Sequence, residues 1–196
     1  TRLIPVLGPQ GAADLQRRMT AHVMTQAQIL AETRAVAIEV RFEGGSESRM
    51  QAWLGMTCDY RPQGKGDIGA RMRRALAHAF HEGAERGVLI GSDIPDIRSD
   101  LLQAAFEHLQ TVDMVLGPAT DGGYYLIGMH KTTFIQANPR LFNGIHWGTD
   151  RVLPQTLAVA KELELSYTLL DTLDDVDRPE DLAVWQRAVT PTLDPS

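Results

Sequence analysis

Apolar positions along this chain switch between helical and strand spacing, and the switches set the expected order of elements. After the breaker pair Gly8-Pro9, Leu15, Met19, Val23, Ala27 and Leu30 recur at helical intervals. Val36, Ile38, Val40 and Phe42 then alternate with Ala37, Glu39 and Arg41, which predicts a strand with one wetter face, closed by Gly44-Gly45. A short helix through Met50, Trp53 and Leu54 and a short strand at Tyr60 come next. Ile68, Met72, Leu76 and Phe80 mark an amphipathic helix. Val88-Leu89-Ile90 is apolar without a break, as expected of a strand buried on both faces of a parallel sheet. Ser99 is placed to cap a helix carrying Leu102, Ala105, Phe106 and Leu109. Strands are expected at 112–116 and 124–127, then a helix capped by Thr149 and containing Val152, Leu157 and Ala160. A strand at 167–170 and a last helix from Pro179 to about Val189 complete the pattern.

This pattern predicts an α/β fold: one doubly wound, mostly parallel sheet flanked by helices. The 196 residues suit a single domain, 1–196, with 190–196 as a tail. A chain of this length buries roughly 70% of its unfolded surface. Hydrophobic residues at 43% and charged residues at 22% fit a globular protein. The net charge of −6 argues against a nucleic-acid binder, which needs a basic face, but leaves room for a nucleotide held by a few cations or one metal ion. Cys58 is the only cysteine, so neither a disulfide framework nor a thiolate cluster is expected. No segment has the apolar length of a membrane span, and a cytoplasmic protein without membrane partners is the expectation. The sequence does not define an oligomeric state.

Candidate chemistry gathers in loops that follow strands. Asp93 stands after Val88–Ile90, where open α/β sheets bind their ligands, and Pro95 stops the strand from continuing. A carboxylate there is costly to desolvate unless it meets a cation or a donor, so a metal–phosphate site is the first expectation. Asp121 follows the next strand, and Asp171, Asp174, Asp175 and Asp177 follow the last. Hard cations such as Mg²⁺ take one or two carboxylates together with substrate phosphates. For Asp177, with Glu180 three residues on, helix capping explains the pattern equally well, and Asp174 and Asp175 read as solvated loop acids. In Gln63-Gly64-Lys65-Gly66-Asp67 two glycines precede a helix, an arrangement that lets a ligand approach backbone N–H groups or simply makes a tight turn. It is neither a Walker loop nor a dinucleotide fingerprint. Asp121-Gly122-Gly123 is a turn on the same grounds, and His78 and His81 lack a third ligand nearby.

Five segments in order carry a family resemblance. They are Arg61-Pro62-Gln63-Gly64-x-Gly66-Asp67-Ile68-Gly69-x-Arg71-Met72, Ile90-Gly91-Ser92-Asp93-x-Pro95, Leu116-Gly117-Pro118-Ala119-x-Asp121-Gly122-Gly123-Tyr124-Tyr125, Leu141-Phe142-x-Gly144-Ile145-x-Trp147-x-Thr149, and Asp175-Val176-Asp177-x-Pro179-Glu180-Asp181-Leu182. Together they resemble the bacterial GT-A-like nucleotide-diphospho-sugar transferases assigned to arsenosugar biosynthesis, over essentially the whole chain. The resemblance implies Asp93 and Asp177 as ligands of Mg²⁺ or Mn²⁺. Gln63, Gly64, Gly66, Asp67 and Arg71 become the nucleotide-reading segment. Asp121 joins Asp93 in catalysis, and Gly122, Gly123, Tyr124, Trp147 and Thr149 line the acceptor side.

Such proteins usually open with a strand and a loop ending in Lys-Thr-Arg-Leu, whose lysine cradles the nucleotide phosphates. This sequence starts at Thr1-Arg2-Leu3, inside that motif, and a strand of ~5–6 residues with its loop is expected ahead of it. Arg2 is what it holds of that cationic loop. The function implied is a metal-dependent transferase acting on a nucleotide sugar and a small-molecule acceptor. Nucleotidyl transfer from a nucleoside triphosphate uses the same acids, and a catalytically silent nucleotide-binding module keeps the same fold.

Overall fold

The structure, a computed structural model, describes residues 2–189. The expected tail at 190–196 lies outside the described residues. Helix α1 (Ile4–Thr33) opens the chain and breaks at Gly8, just before Pro9, where a missing N–H interrupts the helical ladder. Strands β1 (Glu39–Phe42) and β2 (Asp59–Pro62) follow, joined through α2 (Glu47–Leu54), whose first turn Ser46 caps. Then come α3 (Ile68–His81), β3 (Arg86–Ile90), α4 (Ser99–His108), β4 (Met114–Pro118) and β5 (Tyr124–His130). Helix α5 (Lys131–Ala137), α6 (Val152–Glu162), β6 (Tyr167–Leu169) and α7 (Leu182–Val189) complete the described chain.

The α/β class holds, but the strands form two sheets where one was expected. β1 and β2 pair in parallel, while a second sheet runs in the order β3-β5-β4-β6. In it β5 is antiparallel to both β3 and β4, and β4 is parallel to β6. Residues 119–123 explain the reversal: a connection this short can return the chain only as a hairpin, since a parallel crossover needs a dozen residues or more. Among the described residues β1 and β3 each pair along one edge only.

Alternation on β4 and β5 divides the core. Met114, Leu116, Ile127 and Met129 face Leu76, Phe80, Phe134 and Ala160 from α3, α5 and α6. Val115 and Leu126 face the other way, onto Val23 and Leu30 of α1 and Leu101, Leu102 and Ala105 of α4. The same second layer holds Val36, just before β1, together with Val88 and Ile90 of β3. On the opposite side His78 of α3 reaches Glu39 of β1 at 3.0 Å, while Leu76 and Phe80 cover Gly87 of β3. Two helices therefore bridge the two sheets, one from each face. A third cluster joins Leu3, just before α1, and Ala12, Leu15 and Met19 of α1 to Val176 and Val184.

Three caps differ from expectation. Arg151, not Thr149, stands at the N-cap of α6, and no side chain caps that helix. Ser99 is the first residue of α4 rather than its cap, and its N–H is held by Gln26 Oε1 of α1 at 3.0 Å. Asp181, not Asp177, caps the turn that leads into α7, accepting from the N–H groups of Arg178 at 2.8 Å and Asp177 at 3.2 Å. Among the described residues no helix is long and apolar enough to cross a membrane.

Candidate functional site

β3, β4 and β6 run in the same direction, so Asp93, Asp121 and residues 171–177 all leave one edge of the sheet, where β5 enters. Backbone hydrogen bonds draw these loops together. Gly91 N donates to Tyr125 O at 2.8 Å, Leu173 N to Pro118 O and Thr120 N to Leu173 O at 3.1 Å, and Val176 N to Asp93 O at 2.9 Å. The result is an acidic rim containing Asp93, Asp121, Asp175 and Asp177.

The rim is electrostatically tense. Burial raises the Asp93 carboxyl above its ordinary range, and the charges of Asp177 and Asp121 add to the shift, against a backbone hydrogen bond that lowers it. Asp175 is pushed up to about 6, first by burial and then by Asp121 and Asp93. It is only partly exposed, contrary to the expectation of a solvated loop acid. Val176 explains why: it is buried against α1, and drawing it inward carries its acidic neighbours along. That signal was present in the sequence as an apolar residue set among four acids. Asp174 is likewise only partly exposed and lies 3.6 Å from Arg187. A Cβ at position 91 would stand 2.8 Å from Asp93 Oδ1, so only glycine lets the carboxylate lie back over this strand end.

Asp177 is ion-paired with Arg2. Two residues expected to serve different parts of the site, one a metal ligand and one a phosphate-binding cation, therefore stand together at the rim. Gln16 of α1 reaches Ser92 Oγ at 3.1 Å beside them.

The acceptor-side residues also converge. Gly122 sits at φ +89°, and a Cβ there would lie 2.5 Å from Asp150 Cα, so glycine is required twice over. Gly122 O accepts from Leu153 N at 3.0 Å, which docks the 121–123 turn on the start of α6. Asp121 Oδ1 accepts from Gly123 N at 2.8 Å and so braces its own turn. Thr149 donates to His146 O at 2.7 Å and accepts from Arg151 N at 3.3 Å, which shapes the segment leading into α6. Trp147 stands edge-on to Tyr124, ring centroids 6.4 Å apart.

Trp147 also links this side to the loop after β2. A Cβ on Gly69 would lie 2.6 Å from the indole and 2.6 Å from Phe142 O, so α3 begins directly against that ring. In the loop itself, Gln63 extends the β1 pairing, donating from N to Phe42 O at 2.8 Å and from Nε2 to Arg41 O at 3.3 Å. Asp67 caps α3 through Ala70 N at 2.8 Å. Arg71 donates to Gln63 Oε1 at 2.9 Å and to Gly66 O at 3.0 Å, and pairs with Glu43 at 2.5 Å. That pairing holds the Glu43 carboxyl below its usual range. Gly64 and Gly66 are exposed.

Among the described residues no group of three or more His, Cys, Asp or Glu side chains is arranged to hold a metal ion by itself. His78 is paired with Glu39 rather than with His81. A shallow cavity of about 530 Å³ lies elsewhere, between α6 and β6, lined by Pro154, Leu157, Lys161 and Tyr167.

Comparison with known proteins places this geometry. Residues 24–149 match the family described as uncharacterized proteins conserved in bacteria, DUF2064. A crystal structure described as that of a putative nucleotide-diphospho-sugar transferase from Desulfovibrio desulfuricans G20 is 35% identical, with a TM-score of 0.87. The match covers 98% of this chain and 81% of that one. Rv0371c from Mycobacterium tuberculosis H37Rv shares the fold at 18% identity and a TM-score of 0.53, over 84% of this chain and 83% of its own. No curated protein matches.

Proposed function

This chain belongs to DUF2064, bacterial proteins with a nucleotide-diphospho-sugar transferase fold, and on that premise we propose that it transfers a sugar from a nucleotide-diphospho-sugar donor to a small-molecule acceptor. The observation that carries the reading is the 35% identity over 98% of the chain to the Desulfovibrio protein, joined to an acidic rim at the strand ends. The arsenosugar assignment has no separate support.

In this reading Asp93 and Asp177 hold Mg²⁺ or Mn²⁺. The rim suits a cation: burial and like charge raise Asp93, and a divalent ion would remove that repulsion. The lack of a three-residue cage suits Mg²⁺, which commonly takes one or two carboxylates and completes its shell with phosphates and water. When bound, the ion neutralises charge that builds on the diphosphate as it leaves. The chain's own residues do the rest. Gln63, Gly64, Gly66, Asp67 and Arg71 receive the nucleotide. Arg2, paired with Asp177 at the rim, would offer its charge to the phosphate oxygens. Gly122, Gly123, Tyr124, Trp147 and Thr149 position the acceptor, and Asp121 takes the proton of its hydroxyl. The bond from sugar C1 to the diphosphate breaks as C1 joins the acceptor oxygen.

The same reading accounts for the split sheet. A strand seated between β1 and β3 would give the order β2-β1-x-β3, which matches the start of a doubly wound sheet, with α1 as its crossover helix. Its carboxyl end would open onto Asp93. A chain carrying that strand should melt several degrees higher than residues 1–196 and bind nucleotides more tightly. Equal melting points and affinities would remove the strand from the account.

The direct test offers UDP-, GDP- and ADP-sugars with Mg²⁺ and acceptor mixtures, and separately the nucleoside triphosphates. Release of a nucleoside diphosphate supports sugar transfer. Pyrophosphate released from a triphosphate would replace that reading with nucleotidyl transfer. Binding without turnover would leave a silent nucleotide-binding module.

A further inference from the structure

The nucleotide-reading loop is held in shape by a residue outside the segment that resembles the family. Arg74, one turn further along α3, sends Nη1 to Gln63 O at 2.5 Å and Nη2 to Lys65 O at 2.7 Å. One planar guanidinium thus takes two alternate carbonyls of the same short loop, and Arg71 Nε takes a third, Gly66 O. The backbone between them is made to fit. Gly64 lies at φ +79°, and a Cβ there would stand 2.7 Å from Arg74 Nη1, so the guanidinium reaches both carbonyls only because position 64 has no side chain. Among the described residues no acceptor inside the chain faces the N–H groups of Gly64, Lys65 or Gly66.

A peptide whose carbonyl is fixed toward the helix must present its N–H on the other side. With carbonyls of this loop tied back to α3, its donors are left for something other than the chain. Lysine could not reproduce this: a single ammonium lacks the planar fork that reaches both carbonyls at once. Arg74 itself is exposed and, among the described residues, pairs with no carboxylate, so the loop carbonyls are what its charge serves.

We propose that Arg74 is a positioning residue for nucleotide binding, fixing the 63–66 loop in the conformation that turns its backbone donors toward the ligand. This rests on the nucleotide-sugar reading above. Arg74 does not touch the ligand; it acts through the loop, and its removal loosens the loop before it affects anything else.

The test compares wild type, Arg74→Ala and Arg74→Lys by amide hydrogen exchange without ligand, by melting temperature, and by calorimetric titration with UDP, GDP and ADP in Mg²⁺. Arg74→Ala is expected to speed exchange within 63–67 and weaken the bound nucleotide about tenfold, a change of about 1.4 kcal/mol. Its melting point should stay within a few degrees of wild type, and Arg74→Lys should recover part of the affinity. Unchanged exchange and unchanged affinity in Arg74→Ala, with wild type binding normally, would overturn the positioning role alone. Faster exchange with unchanged affinity would also overturn it, leaving a clamp of purely architectural value. Failure of wild type to bind any of the three would overturn the nucleotide reading itself, whatever the exchange shows.

Discussion

The two sheets of this molecule are built on different terms. Every residue of β4 is buried, and β5 is buried from Tyr125 to Met129, with helices on both faces. In the other sheet all four residues of β1 are only partly covered, and in β2 only Tyr60 is buried. What holds β1 in place is largely polar: Glu39 gathers Arg41 at 2.5 Å, Arg61 at 3.1 Å and His78 at 3.0 Å. The contrast separates two jobs. A dry, close-packed central pair, β4 and β5, anchors the sheet whose edge carries the acidic rim, although its outer strands β3 and β6 are only partly covered. The lightly packed β1–β2 pair carries the loop proposed for the nucleotide. Binding loops are commonly drawn from the less stable parts of a fold.

The strongest way to break that comparison is to cut both cores. Leu126→Ala, at a side chain fully buried among α1 and α4, should cost about 2–5 kcal/mol in denaturant unfolding. Val40→Ala in β1 should cost about 1 kcal/mol or less. Equal costs would mean the two sheets are equally consolidated. Repeating Val40→Ala in a chain that carries the proposed middle strand sharpens the point, because the cost should then rise.

The next effect is on pH. Asp175 titrates at about 6 in the folded chain, above its unfolded value, so the folded state holds more protons between the two. Its contribution to stability is therefore favourable at low pH and lost as pH rises from about 4 to about 6. With EDTA present, Asp175→Asn should raise the melting temperature at pH 7.5 and do little at pH 4. A melting difference that does not vary with pH would mean that Asp175 is not strained by its neighbours.

How much of this was legible in the sequence depends on range. Helix α3 was readable because Ile68, Met72, Leu76 and Phe80 keep one period, and it runs Ile68–His81 with Leu76 and Phe80 buried. That β3 is a strand was readable from its unbroken apolar run, but its setting was not. Instead of lying buried on both faces of a parallel sheet, Val88, Leu89 and Ile90 are only partly buried and pair, among the described residues, with antiparallel β5 alone. Helix α5 was not anticipated: it is short, and Ile135 lies exposed on it, which blurs the period. The split sheet could not be read, since pairing partners are set by contacts distant in sequence. In the site, the turn residues and Asp93 stood out because strand ends announce themselves. Asp175 did not, because its burial follows from Val176 packing on α1. Arg74 did not either, because nothing local shows which carbonyls a helix arginine will meet.

A smaller effect is expected at Asp177. Since Asp181 supplies the cap, Asp177→Asn should barely change stability, while removing one charge from the rim. Asparagine keeps a carbonyl oxygen, so the Mg²⁺ midpoint for nucleotide binding should rise without binding being lost. An unchanged midpoint in a Mg²⁺ titration would take Asp177 out of the metal site.

If the acidic rim binds a nucleotide diphosphate through a divalent cation, as proposed, Asp93 is where that binding should fail first. Calorimetric titration of wild type and Asp93→Ala with UDP-, GDP- and ADP-sugars, each with Mg²⁺ and with EDTA, reads the claim in one experiment. Wild type should bind one of these donors only with Mg²⁺, and Asp93→Ala should stay folded but lose that Mg²⁺-dependent binding. Equal Mg²⁺-dependent affinity in the two proteins, or no binding of any donor by wild type, would contradict it.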